Sequence, residues 1–266
     1  SAQILIIDDT VKESGEDFRI VLANASAAIT VQKDEATVQI VDNDSVDVSV
    51  TSTSAIPESS GTVGAFTVTM TGTSTQAVQV SYSTVDGTAT QPGDYTAVSG
   101  VLRWEAGETG PRTVNVTITD DLVFEPNEAF ALELKGSIGA DTTNTAIASV
   151  TVTDDDPTSV NIAPTLAIVE SVGTASFNVT LQRPAEGPVT VDIAAVSTGS
   201  AAGAGVDYTF SVTALTFAPM ETFKTVTFSV VDDNIAEQPE TFRVELSSAV
   251  GAPLGTSAMV VTITDN

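Results

Sequence analysis

"VNVTITDDLVFEPNEAFALEL", residues 114–134, changes character twice. Val114, Val116 and Ile118 alternate with Asn115, Thr117 and Thr119, the period of two expected of a strand with one apolar and one wetted face. Asp120, Asp121, Glu125 and Glu128 follow with no Lys or Arg among them, and from Phe130 the period resumes through Leu132 and Leu134. The stretch reads as strand, acidic loop, strand. Three uses of the loop compete: a catalytic carboxylate pair, a site for a hard metal ion, and an ordinary solvated turn.

The acidic segment is repeated. "DDTVKESGEDF" from Asp8, "DDLVFEPNEAF" from Asp120 and "DDNIAEQPETF" from Asp232 all read D-D-x3-E-x2-E-x-F, at a spacing of 112 residues. The flanks repeat too: Glu58 matches Glu170, and "TVQIVDND" (37–44) matches "SVTVTDDD" (149–156). A fixed period of this kind marks a tandem array. Residues 1–44 are expected to be the second half of a repeat, strands E to G, followed by complete domains at 45–157 and 158–266. In the first complete domain the alternation predicts seven strands, A to G, over 46–54, 63–72, 77–86, 95–104, 111–120, 129–135 and 147–154. No amphipathic helix is evident, and Val and Thr are abundant. The fold class is all-β, a tandem of immunoglobulin-like antiparallel sandwiches.

Composition removes many functions. The chain has 35 acidic and 9 basic residues, a formal charge of −26, which repels phosphate backbones and anionic lipid. Nucleic acid is therefore excluded as a partner. No apolar run is long enough for direct membrane insertion. With no Cys and no His there is no disulfide, no thiolate nucleophile, no Ser-His-Asp triad, no Cys-based zinc or iron–sulfur site and no two-His-one-carboxylate site. What remains is carboxylate chemistry.

If successive strands reverse direction, the A–B, C–D and E–F loops and the end of strand G share one pole. That pole collects Glu58, Asp94, Asp120, Asp121, Glu125, Glu128, Asp154, Asp155 and Asp156. Crowded like charges are unfavourable unless something compensates them. A divalent cation does so, and calcium suits a cluster of oxygen ligands without His or Cys. A glycosidase-like pair needs a cleft and one acid of raised pKa, which a crowded, repeated cluster does not suggest; no enzyme activity is expected. Trp104, the single Trp, aligns with Phe217 and is read as core.

These motifs together resemble tandem Calx-beta domains, calcium-binding sandwiches found in sodium/calcium exchangers, integrin beta-4 and large bacterial surface proteins. The resemblance rests on "PESSGTVGAFTV" and "VESVGTASFNV", on "DGTATQPGDY", on the repeated acidic segment and on "VTVTDDD". It implies calcium ligands at the nine acids above, and at Glu170, Asp207, Asp232, Asp233, Glu237, Glu240 and Asp265 in the last unit. In the first unit the matching acids are Asp8, Asp9, Glu13, Glu16, Asp42 and Asp44, with Lys12 among them. The last unit departs from the pattern where "DGTA" gives way to "STGSAAGAG" and where the final acid run shortens to "TDN".

The expected function is a calcium-binding repeat, with calcium at junctions between repeats stiffening an extracellular or cell-surface stalk. Its partners would be calcium, neighbouring repeats of the same chain, and other copies or a surface receptor. A regulatory calcium sensor and a cadherin-like adhesion array are the alternatives.

Overall fold

The computed structural model describes residues 3–23, 29, 31–140, 146–196, 199–203 and 205–266. Strand dominates, and the described helical segments are two single 3-10 turns, Glu58–Ser60 and Glu170–Val172. The chain divides into two compact units. The described residues of Ser1–Asp120 and Glu128–Thr153 form unit 1, and those of Asp121–Asn127 and Asp154–Asn266 form unit 2.

Unit 1 begins with β1 (Val11–Lys12), β2 (Glu16–Val21) and β3 (Glu35–Ile40). Its sandwich contains β4 (Asp47–Ser52), β5 (Ala55–Pro57), β6 (Thr62–Thr71), β7 (Thr73–Ser74), β8 (Val78–Val85), β9 (Tyr95–Thr96), β10 (Ser99–Trp104), β11 (Gly110–Ile118), β12 (Glu128–Ile138) and β13 (Ile147–Thr153). One sheet has the order β4-β6-β11-β9 and the other β10-β8-β12-β13-β5. Between them Phe66, Val68 and Met70 of β6, Val114, Val116 and Ile118 of β11, and Phe130, Leu132 and Leu134 of β12 are buried in one core. The period of two is what puts every second side chain there. Trp104 is fully buried, and its indole N–H donates to the Gly110 carbonyl at 3.0 Å.

Unit 2 repeats the plan with β14 (Val160–Ile162), β15 (Thr165–Val169), β16 (Thr174–Leu181), β17 (Val189–Val196), β18 (Tyr208–Thr209), β19 (Ala214–Phe217), β20 (Phe223–Val230), β21 (Glu240–Val250) and β22 (Ala258–Thr264). Its sheets are β14-β16-β20-β18 and β15-β22-β21-β17-β19. Phe217 occupies the place of Trp104 and is likewise fully buried.

Three expectations need correction. Strand A is two strands: β4 pairs antiparallel with β6, whereas β5 pairs in parallel with β13 in the opposite sheet. The alternation Val46, Val48, Val50 lapses at Ser52 and Ser54 before Ile56 resumes it, and the Ser52 hydroxyl donates to the Ser149 carbonyl at 2.5 Å, bridging the step between sheets. Strand D is also two, β9 on β11 and β10 on β8. Tyr95 is buried at an odd position and Trp104 at an even one, and the parity changes at Ala97–Val98 where the chain crosses. In the first repeat, β2 and β3 pair with each other, but residues 3–7, expected as strand E, form no strand. In both sandwiches that strand is hydrogen-bonded between two others, β6 and β9 around β11 or β16 and β18 around β20, and the described residues of 1–44 contain no counterpart of either.

The first two acidic loops also make main-chain pairing further along the chain. In unit 1, β1 pairs in parallel with β7, Val11 opposite Thr73 and Lys12 opposite Ser74. In unit 2, Phe124 bridges Ala185 in parallel, and its side chain packs on the unit 2 core.

Candidate metal centre

Unit 2 assembles its acids from four chain segments. Glu170 opens the 3-10 turn after β15, Asp207 immediately precedes β18, Asp232, Asp233, Glu237 and Glu240 lie between β20 and the start of β21, and Asp265 follows β22. Gly173, at φ +68°, closes the turn behind Glu170 in a conformation that L side chains rarely adopt.

Backbone donors fix most of these carboxylates. Glu170 is buried, and its Oε1 accepts the Asp233 N–H at 2.8 Å. Asp233 Oδ1 in turn accepts the Ile235 N–H at 2.6 Å, closing an Asx turn. Asp265 Oδ2 accepts the Glu237 N–H at 3.2 Å, and Asp207 Oδ2 accepts the Ala202 N–H. In this framework one oxygen from each of Asp207, Glu237 and Glu240 lies within 4.8 Å of the others.

The charge is not neutralised by basic side chains. The basic residues of Asp121–Asn127 and Asp154–Asn266 are Arg183, Lys224 and Arg243. They pair instead with Asp156 at 2.9 Å, Glu221 at 2.8 Å and Glu245 at 3.2 Å. Desolvation within the cluster, followed by repulsion from Asp233, Asp207, Glu170 and Asp265, raises the carboxyl of the exposed Glu237 above its ordinary value. Glu240 is raised by burial and then by a hydrogen bond with Asp207, which two fully ionised carboxylates could not make.

The same local geometry recurs in the other copies. Asp9 Oδ1 accepts the Val11 N–H at 2.9 Å and Asp121 Oδ1 the Val123 N–H at 2.7 Å, the Asx turn of Asp233 twice over. Asp42 accepts the Glu13 N–H at 3.0 Å, and Asp154 that of Glu125. The repeated spelling therefore encodes loop geometry as well as charge.

In unit 1, Glu58 is buried and has a carboxylate oxygen within 4.8 Å of one from Asp120; Asp94 and Glu128 approach each other as closely. Asp94 Oδ2 accepts the Thr90 N–H at 2.6 Å, the role Asp207 has in unit 2. Asp121, Glu125, Asp154, Asp155 and Asp156 fall within unit 2. Among them Asp156 is committed to Arg183, so the expectation that it serves as a ligand meets a competing ion pair. Asp232 is exposed and outside the group formed by Asp207, Glu237 and Glu240. In the first copy, burial and then Asp9, Glu16, Asp42 and Asp44 raise Glu13, and burial and then Asp42, Asp8 and Asp9 raise Asp44. Among the described residues, that copy forms no group of three carboxylates as close as those above.

Asp86 was overlooked in the sequence although "DGTATQPGDY" contains it. Its Oδ1 accepts the Tyr95 hydroxyl at 2.5 Å, and burial together with this bond pushes the phenol up to about 12. Tyr95 stacks on Phe130 with centroids 4.0 Å apart, tying the loop that bears Asp94 to the core. Tyr208 stacks on Phe242 at 3.8 Å. In the divergent "STGSAAGAG" segment, residues 197, 198 and 204 lie outside the described residues.

The donors are carboxylate oxygens from loops held by main-chain hydrogen bonds, a set that suits hard cations. The fold and this arrangement define a class of acidic-loop β-sandwich repeats. The chain belongs to the Calx-beta domain family, which matches residues 1–44, 42–156 and 154–266. It is 28% identical over 209 residues to sodium/calcium exchanger 1 of Rattus norvegicus, covering 71% of this chain and 21% of that protein. It is also 28% identical over 199 residues to sodium/calcium exchanger 2 of Homo sapiens, covering 68% and 22%. The chain thus spans about a fifth of the length of these relatives. Similar solved structures include CBD12 from CALX1.2, at TM-score 0.38 and 20% identity over 81% of this chain and 99% of that one. Another is the apo form of the Calx CBD1 domain, at TM-score 0.37 and 25% identity over 42% and 100%. No helix among the described residues is long and apolar enough to cross a membrane.

Proposed function

We propose that the chain is a calcium-binding repeat array and that calcium orders its acidic loops. The observation that carries this reading is the meeting of Asp207, Glu237 and Glu240 oxygens within 4.8 Å in a unit whose basic residues are engaged elsewhere. Membership of the Calx-beta family and likeness to sodium/calcium exchangers support calcium as the ion. Glu170, Asp233 and Asp265 surround the three and would complete the oxygen shell. Magnesium fits less well, because its rigid octahedral shell is hard to build from separate loops.

Bound calcium would supply positive charge among carboxylates that otherwise repel one another. A loop held by one ion and several main-chain bonds is stiffer than one whose carboxylates repel. That stiffening suits a structural repeat in a cell-surface protein, with neighbouring repeats as partners. The likeness to sodium/calcium exchangers favours a second use of the same event, a regulatory module that reports calcium by a change in loop order. No catalytic role is proposed.

Calorimetric titration of metal-free protein tests the reading. Binding should stabilise unit 2 by about 2.7 kcal/mol when free calcium is about 100 times the dissociation constant. No heat of binding and an unchanged melting temperature at millimolar calcium would sink it. Micromolar affinity with a large change in scattering profile would select the sensor, and weaker affinity with little change the structural repeat.

A further inference from the structure

Lys12, Phe124 and Ala236 occupy the same position in the three acidic loops, at intervals of 112 residues. The first two are engaged in the same way. The Lys12 carbonyl accepts the Thr75 N–H at 3.0 Å, and the Phe124 carbonyl accepts the Glu186 N–H at 3.1 Å. The Phe124 N–H donates to the Pro184 carbonyl at 2.9 Å. Lys12 lies opposite Ser74 and Phe124 opposite Ala185, in both cases in parallel. The acceptor in each sandwich is the same element, the connection between β6 and β8 or between β16 and β17.

The side chains at the two paired positions are a cation and an aromatic ring. Pairing that survives such changes is carried by the main chain, as when an extended segment adds to a sheet edge. Burial follows engagement: Val11, Lys12, Val123 and Phe124 are half-buried. In the third copy, residues 232–239 are all exposed, Ile235 at 64%, and none pairs as a strand. Its Asx turn is nevertheless formed, since the Ile235 N–H reaches Asp233. The third loop has the shape of the other two without their occupant.

We infer that Ile235–Glu237 is a docking strand for a further Calx-beta unit, received in parallel by that unit's connection between its second and third strands. The two occupied copies identify this occupant. Within this chain both such connections, Thr73–Ser74 and Pro184–Glu186, are already engaged. The occupant is therefore another unit with its own free connection, and the contact extends the array by the rule that operates twice inside it.

Amide hydrogen exchange on a chain lengthened after Asn266 by a second copy of Asp156–Asn266, in chelator, tests the inference independently of calcium. The Ala236 N–H should slow on the order of tenfold or more relative to the original chain, approaching the protection of the Phe124 N–H. Ala236→Pro in the lengthened chain, which deletes the donor, should leave the residues flanking 236 exchanging as in the original chain. An Ala236 N–H that exchanges equally fast in both chains, while Phe124 stays protected in both, overturns the proposal. Added calcium in a second run separates this from the metal reading, because loss of calcium binding would leave the pairing intact.

Discussion

Carboxylate oxygens of Glu240 and Asp207 lie within 4.8 Å of each other, although one residue opens β21 and the other precedes β18. Two ionised carboxylates this close repel each other, and a cation between them relieves the repulsion. Glu240→Gln keeps the shape and removes one negative charge. Metal-free unit 2 should melt higher, while calcium affinity should fall on the order of tenfold or more, since affinity in such sites follows the count of charged ligands. Thermal melts with chelator, paired with calcium titration, check both signs; parallel changes in the two would contradict this role.

Acidity should stabilise the metal-free protein over a limited range. Glu237 and Glu240 hold their protons more tightly when folded than their ordinary value of 4.5 allows in the unfolded chain. Their contribution is fully present below that unfolded value and is lost as pH rises through the raised folded one. Lowering the pH from neutrality toward 4.5 should therefore raise the melting temperature of unit 2 in chelator and lower it in calcium, where protons compete for the ligands. A scan of melting temperature against pH under both conditions should give slopes of opposite sign.

Phe124 belongs energetically to unit 2, since it packs on that core and bonds to Pro184 and Glu186. Phe124→Ala should destabilise unit 2 by about 1–3 kcal/mol, less than a full core truncation because the ring is only half-buried. Denaturant unfolding followed by hydrogen exchange should localise the loss to unit 2 amides. A loss confined to β6 and β11 would refute the assignment.

Trp104 is a built-in reporter of unit 1. It is the only Trp, is fully buried, and has the Arg112 guanidinium 5.6 Å from its ring centre. Its emission should redden when unit 1 unfolds and stay constant when unit 2 alone melts. Trp104→Ala should cost about 3–5 kcal/mol of unit 1 stability, and Trp104→Phe, the residue type at position 217, considerably less.

Much of this was legible before any coordinates. The alternation around Phe66, Val114 and Phe130 placed the core faces, because a period of two has only one way to bury its apolar set. The 112-residue spacing gave the repeats. Less was legible where one strand crosses between sheets. Ser52 and Ser54 interrupt an apolar alternation, and burial changes parity between Tyr95 and Trp104, yet both segments are continuous enough in composition to read as single strands. The acids Asp207, Glu237 and Glu240 were all candidates, but their approach depends on main-chain donors such as the N–H groups of residues 202 and 237, which every sequence possesses. The engagement of Asp156 by Arg183 was hidden because the partners lie on different segments.

The division of the first strand has a mechanical consequence. β5 and β13 run parallel through three residue pairs, Ala55 to Pro57 against Thr151 to Thr153. β15 and β22 do so through five, Thr165 to Val169 against Val260 to Thr264. Tension drawing a sandwich's first strand backward and its last strand forward loads these ladders in shear, so their bonds must yield together rather than unzip in turn. In force–extension traces the shorter ladder is expected to rupture first, giving a tandem of related sandwiches graded resistance to pulling.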